Sequence, residues 1–134
     1  MVKIFKSDKD TVGIGTKIDE GQITLSSLLK KYYGVKKFLS SPILVDDFSR
    51  TDIAKTINRL EFSKGAEVGV QNGRYSKVLC QHITSCELLC IDSWSGENSA
   101  KEYKVAKERL KSYNATLIKK TSMEAVKSIP ENSL

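Results

Sequence analysis

Beyond Gly65 the apolar residues change period again and again, and that alternation constrains the fold more than any other feature of the chain. Residues 66–70 read as a buried strand, 74–83 as a helix and 87–91 as a second strand. Asn98 or Ser99 can cap a longer helix whose Tyr103, Ala106, Leu110 and Tyr113 share a face, and 115–119 reads as a third strand. Thr121 and Glu124 have the spacing of a capping box for a last short helix, which Pro130 stops. The order βαβαβα folds into a parallel sheet when its crossovers are right-handed.

Upstream, Leu25, Leu28, Leu29 and Tyr32 recur at helical spacing after Thr24. Lys30 and Lys31 fall in the last turn and Gly34 follows, which predicts a short amphipathic helix. After an extended 42–45, Ser49 and Asp52 predict the start of a second helix with Ile53, Ile57 and Leu60 on one face, ending before Gly65. The first 23 residues read as loops and a hairpin. The division is therefore an N-terminal extension, 1–48, and an α/β domain, 49–134.

Composition narrows the function classes. The chain has 134 residues, enough for one domain, and no apolar run near the ~20 residues of a membrane span, so no membrane partner is expected. A net charge of +6 raises the question of nucleic acid. Residues 1–60 hold 11 basic and 7 acidic side chains and residues 61–134 hold 11 and 9, so the excess is spread out and favours a solvated surface. Cys80, Cys86 and Cys90 lack the spacing of a zinc or dithiol centre, and His82 has no second ligand nearby. Reduced thiols, a cytoplasmic location and no metal are the expectation.

The chemistry is expected at 65–76, where a strand runs into a glycine-bearing turn that opens a helix. Glycine there permits close approach of a ligand to the backbone, and the first helical amides offer unpaired donors with partial positive charge, which suits a nucleotide-like cofactor. Asp92 ends the next strand 19 positions after Gly73 and is placed to accept from ribose hydroxyls. Trp94, just beyond, can cover the ribose or adenine or pack the domain edge. Between Gly69 and Gly73 the middle glycine of the dinucleotide fingerprint is missing, which argues against an NAD-dependent or nucleotide-sugar enzyme.

Taken together, Glu67-Val68-Gly69 with Gly73, Ile91-Asp92-Ser93-Trp94 and Thr121-Ser122-Met123-Glu124-Ala125 resemble the class I S-adenosylmethionine-dependent methyltransferases. The nearest likeness is to the small branch similar to catechol and caffeoyl-CoA O-methyltransferases, from about residue 50 onward. The resemblance implies a Rossmann-like sheet that binds S-adenosylmethionine and passes its methyl group to a small-molecule acceptor. It implies that Glu67 helps hold the methionine amino group, that the turn at Gly69 passes close to the cofactor, and that Asp92 takes the ribose hydroxyls. Ser122 and Met123 would then lie near the adenine. Tyr75 stands where this branch often has a small hydroxyl residue at the cofactor carboxylate, so Ser76 or a backbone amide is the substitute. No residue is assigned as catalytic base, and the acceptor is not identified.

The motif series stops before a fourth strand. The resemblance therefore implies a truncated domain, with strand 66–70 left as an open edge. Such a chain would be the cofactor-binding part of a longer methyltransferase or would complete its sheet as a homodimer. The alternative is a non-catalytic Rossmann-like module that dimerises through that edge.

Overall fold

Local capping explains where several of the helices start. In a computed structural model that describes residues 23–35 and 48–134, with the backbone of Val2–Lys3, helix α1 (Leu25–Tyr33) begins at Thr24 and α2 (Arg50–Arg59) at Ser49, each in a reciprocal capping box. Gly34 ends α1. Tyr33 joins the two helices: its hydroxyl lies 3.3 Å from Thr56 Oγ1, and its ring meets Phe48 edge-on at 4.8 Å. Of the apolar stripe on α1 only Leu28 and Leu29 are buried, while Leu25 and Tyr32 remain about half exposed. Arg59 lies over the Tyr32 ring at 4.1 Å, so this ring holds a cation instead of entering the core. The extended 42–45 and the loops or hairpin expected over 4–22 lie outside the described residues.

Three parallel strands follow, namely β2 (Lys64–Val68), β3 (Glu87–Asp92) and β4 (Ala115–Lys119), joined by α3 (Arg74–His82) and α4 (Ser99–Leu110). The molecule is thus mixed α/β, and β3, central in the sheet, buries Leu88, Leu89, Cys90 and Ile91 in succession. A parallel strand covered on both faces has this unbroken apolar run. The main core joins Ala54 and Ile57 of α2, Leu79 of α3, Leu88 and Cys90 of β3, and Ala106 and Leu110 of α4. Helix α5 (Ser122–Ala125) is one turn long, capped by Thr121 and Glu124, and runs into a 3₁₀ turn before Pro130. Among the described residues no helix is long and apolar enough to cross a membrane.

Two expectations are corrected. The first strand runs over 64–68 and not 66–70, because Gly69 at φ 87° leaves extended geometry and turns Val70 down into the core. Its start is fixed by pairing of Lys64 with Glu87, reinforced by a salt bridge of 3.1 Å. Nor is the edge of that strand open along its whole length. β1 (Val2–Lys3) pairs antiparallel with it, Val2 opposite Glu67 and Lys3 opposite Ala66.

Candidate functional site

The C-terminal ends of β2 and β3 lie side by side, and the turn from Gly69 to Gly73 crosses the rim between β2 and α3. Gly69 N–H still donates to Ile91 O at 2.9 Å, so the turn leaves the sheet while bonded to it. The two glycines serve different ends. A Cβ on Gly69 would meet nothing within 4 Å, leaving its φ of 87° as the reason for glycine and the space over the turn open. A Cβ on Gly73 would lie 3.4 Å from Ala106 Cα and Cβ and 3.3 Å from Leu110 Cδ1, so that glycine lets α4 close on the turn.

Asp92 organises the rim. Its Oδ2 accepts from Gln71 N–H at 2.8 Å and its Oδ1 from Trp94 N–H at 2.9 Å, and Trp94 Nε1–H donates back to Gln71 O at 2.7 Å. Gln71 and Trp94 both have positive φ, 53° and 40°, and these bonds hold them there. Each oxygen of the carboxylate retains acceptor capacity beyond the one amide it binds. Trp94 is buried, with its indole edge-on to Tyr103 at 4.8 Å, so its ring forms the floor under the loop. From α4, Arg109 Nη1 donates to the carbonyl and the side-chain oxygen of Asn72. Gln71, Asn72 and Arg109 escape sequence reasoning, since a contact 37 residues apart leaves no spacing signal.

Beneath the turn, Glu67 is 4% exposed and accepts from the Ser76 hydroxyl at 2.5 Å. Burial pushes its carboxyl up from the ordinary carboxylate range, against the Ser76 hydrogen bond and the charge of Arg50, which favour ionisation. Ser76 is fully buried, turned toward Glu67. Tyr75 beside it donates to Arg50 O at 3.2 Å, and desolvation together with the Glu67 charge raises its phenol. Burial also raises the thiols of Cys80 and Cys90, to about 11 and about 12, which keeps both protonated and poor nucleophiles at neutral pH.

Thus Glu67, Gly69, Gly73, Ser76, Asp92 and Trp94 are brought together around one turn. Ser122 and Met123 stand after β4 at the start of α5, with Met123 72% exposed, on the same rim but with no direct bond to that turn. Among the described residues no group of three or more His, Cys, Asp or Glu side chains is arranged to hold a metal ion. One shallow cleft is lined by Ile57, Phe62, Leu79, Ile83 and Leu88, and another by Cys80, Gln81, Thr84, Ser112 and Asn114. Neither includes a residue of the rim. No family model matches the chain, and no curated protein or solved structure matches it.

Proposed function

We propose that this chain has a Rossmann-like domain that binds S-adenosylmethionine at the rim between β2 and β3, as part of a methyltransferase acting on a small molecule. The observation that carries the reading is the meeting of a glycine turn with an acidic strand end on adjacent parallel strands, through the bond from Gln71 N–H to Asp92. The residues present fit such a group. The turn is open above Gly69, Asp92 has acceptor capacity left for ribose hydroxyls, and Glu67 offers a carboxylate beneath the turn.

When bound, the cofactor would supply an electrophilic methyl group, leaving the protein to position the partners. Asp92 would orient the ribose, the turn at Gly69 would let the ligand approach the backbone, and Glu67 would take a ligand ammonium. Trp94 would keep the turn in shape from below, while Ser122 and Met123 would border the adenine, the latter with a soft apolar side chain. Three free thiols accord with a cytoplasmic setting.

A second reading, a non-catalytic interaction module, is favoured by one observation: both Asp92 oxygens and the Ser76 hydroxyl already have partners inside the protein. Against edge dimerisation stands β1, which holds β2 along Ala66 and Glu67. Isothermal titration of the full chain with S-adenosylhomocysteine separates the two. Saturable binding is expected, weakened by about 2 kcal/mol or more in Asp92→Ala. A folded chain that gives no heat of binding, with light scattering that reports a dimer, overturns the methyltransferase reading in favour of the module.

A further inference from the structure

Asn72 is followed by glycine, and no other asparagine of the chain is. Such a pair carries latent chemistry, because the backbone nitrogen of the second residue can attack the side-chain amide of the first when no Cβ hinders its approach. Asn72 is half-buried, and Gln71 and Arg74 on either side of the pair are exposed. Both groups that would react are tied down. Gly73 N–H donates to Val70 O at 2.9 Å, and the Asn72 side-chain oxygen accepts from Arg109 Nη1 at 3.1 Å. The same Nη1 donates to the Asn72 carbonyl. A single nitrogen that binds both oxygens keeps the side-chain amide on the carbonyl side of its own residue, whereas attack requires Asn72 Cγ to lie against the Gly73 nitrogen. Arg109 is half-buried and forms no salt bridge among the described residues, so its charge is spent on a neutral amide.

We infer that Asn72 is a site of spontaneous deamidation that the Arg109 clasp holds in check. When the clasp opens, the Gly73 nitrogen gives up its proton and bonds to Asn72 Cγ, the Cγ–Nδ2 bond breaks, and ammonia leaves with a cyclic succinimide behind it. Water then adds to one or the other carbonyl of the ring and opens it. One opening leaves aspartate at position 72, and the other leaves isoaspartate, in which the main chain runs through the former side chain. Solvent water is the only co-reactant. The products differ in what they do to the turn. Aspartate keeps the backbone and presents a carboxylate to the unpaired guanidinium, which tightens the clasp. Isoaspartate inserts an extra carbon immediately before Gly73, where α4 closes on the turn through Ala106 and Leu110, and so loosens the rim.

Incubation of the full chain at mildly alkaline pH, followed by digestion and mass spectrometry of the peptide that spans position 72, reads the reaction as the mass difference between amide and acid. Deamidation is expected at Asn72 before any other asparagine, and about thirtyfold more slowly in the folded chain than in urea, since attack must first break two hydrogen bonds. Arg109→Met keeps the stem and removes the donors, and should raise the folded rate by about tenfold. Arg109→Lys, which retains a single-point donor, should raise it by less. Thermal denaturation shows which variants are folded, and Arg109→Lys decides if Arg109→Met is not. Asn72→Asp makes the first product directly and should melt no lower than the unaltered protein. Folded variants at Arg109 that deamidate no faster than the unaltered chain, or an earlier conversion at a different asparagine, overturn the inference. An Asn72→Asp variant that melts about 4 °C lower overturns the pairing assigned to Arg109.

Discussion

Helices α1, α2 and α5 and helices α3 and α4 begin in opposite ways. The first three are closed by a Thr or Ser whose side chain binds the third helical residue, and that residue answers in kind. The two crossover helices start at Gly73 and Asn98, and neither supplies a side-chain cap. Both of these open ends follow the C-terminal ends of parallel strands, where α/β proteins bind ligands, and of the three helices that do so only α5, after β4, is capped. A cap satisfies amides locally and stabilises the helix, whereas an uncapped start keeps donors available. At the rim, stability comes from afar: Asp92, Trp94 and Arg109 hold the turn from β3, the loop after it and α4.

If the rim depends on close approach of α4, its weakest point is Gly73. Gly73→Ala would place a Cβ against Ala106 and Leu110 in a left-handed backbone, φ 73°. The two costs sum to about 3 kcal/mol, a large share of the stability of a domain this size. Chemical denaturation should register that loss. A change below about 1 kcal/mol would mean the turn is loosely held and that the contrast with the capped helices is misplaced.

The contrast can also be broken at the caps. Ser49→Ala removes the acceptor for Asp52 N–H and the hydroxyl bonded to its carboxylate, and should cost about 1 kcal/mol, or roughly 4 °C in the thermal midpoint. Asn98→Ala should change stability by no more than about 0.5 kcal/mol, because its side chain makes no capping bond. Equal losses at the two positions would erase the distinction.

The same contrast explains what the sequence revealed. Caps are local signals: Ser49 and Thr121 announce their helices within three residues and the structure starts each helix next to its cap, whereas the Thr24 box escapes a reading in advance and Asn98, expected to cap α4, makes no side-chain capping bond. The unbroken apolar run of β3 and the face formed by Ala106 and Leu110 were equally legible, since burial writes its own periodicity. Position 69 was not, because a glycine inside an apolar run reads as strand until its φ is known, and this moved β2 by two residues. At the rim the acidic residue Asp92 could be picked out by its place at the end of β3. The tie from Asp92 to Gln71, the indole floor and the Arg109 clasp depend on register between strands and on how α4 packs, and no short-range pattern encodes either. Arg50 and Tyr75 were invisible as a pair for the same reason, lying 25 residues apart on different helices.

The smallest effect tests whether the rim keeps a titratable group at a cost that the capped ends avoid. Burial holds the Glu67 proton more tightly in the folded chain than in the unfolded one, so folding below neutrality favours proton uptake at this site. The raised carboxyl therefore contributes stability that is complete below its unfolded value and is lost as pH rises through its folded value. Asp52 and Glu124, the carboxylates of two capping boxes, are shifted the other way, held low by Ser49 and Thr121, and their contributions fade as pH falls. Glu67→Gln keeps an acceptor for Ser76 and removes the titration. Its thermal midpoint should rise relative to that of the unaltered protein as pH increases above 4.5, with the two curves converging at lower pH. Parallel curves across that range would place Glu67 in a water-like setting. The buried acid would then be no different from the caps, and the rim would owe its form to the backbone bonds of Asp92 and Arg109 alone.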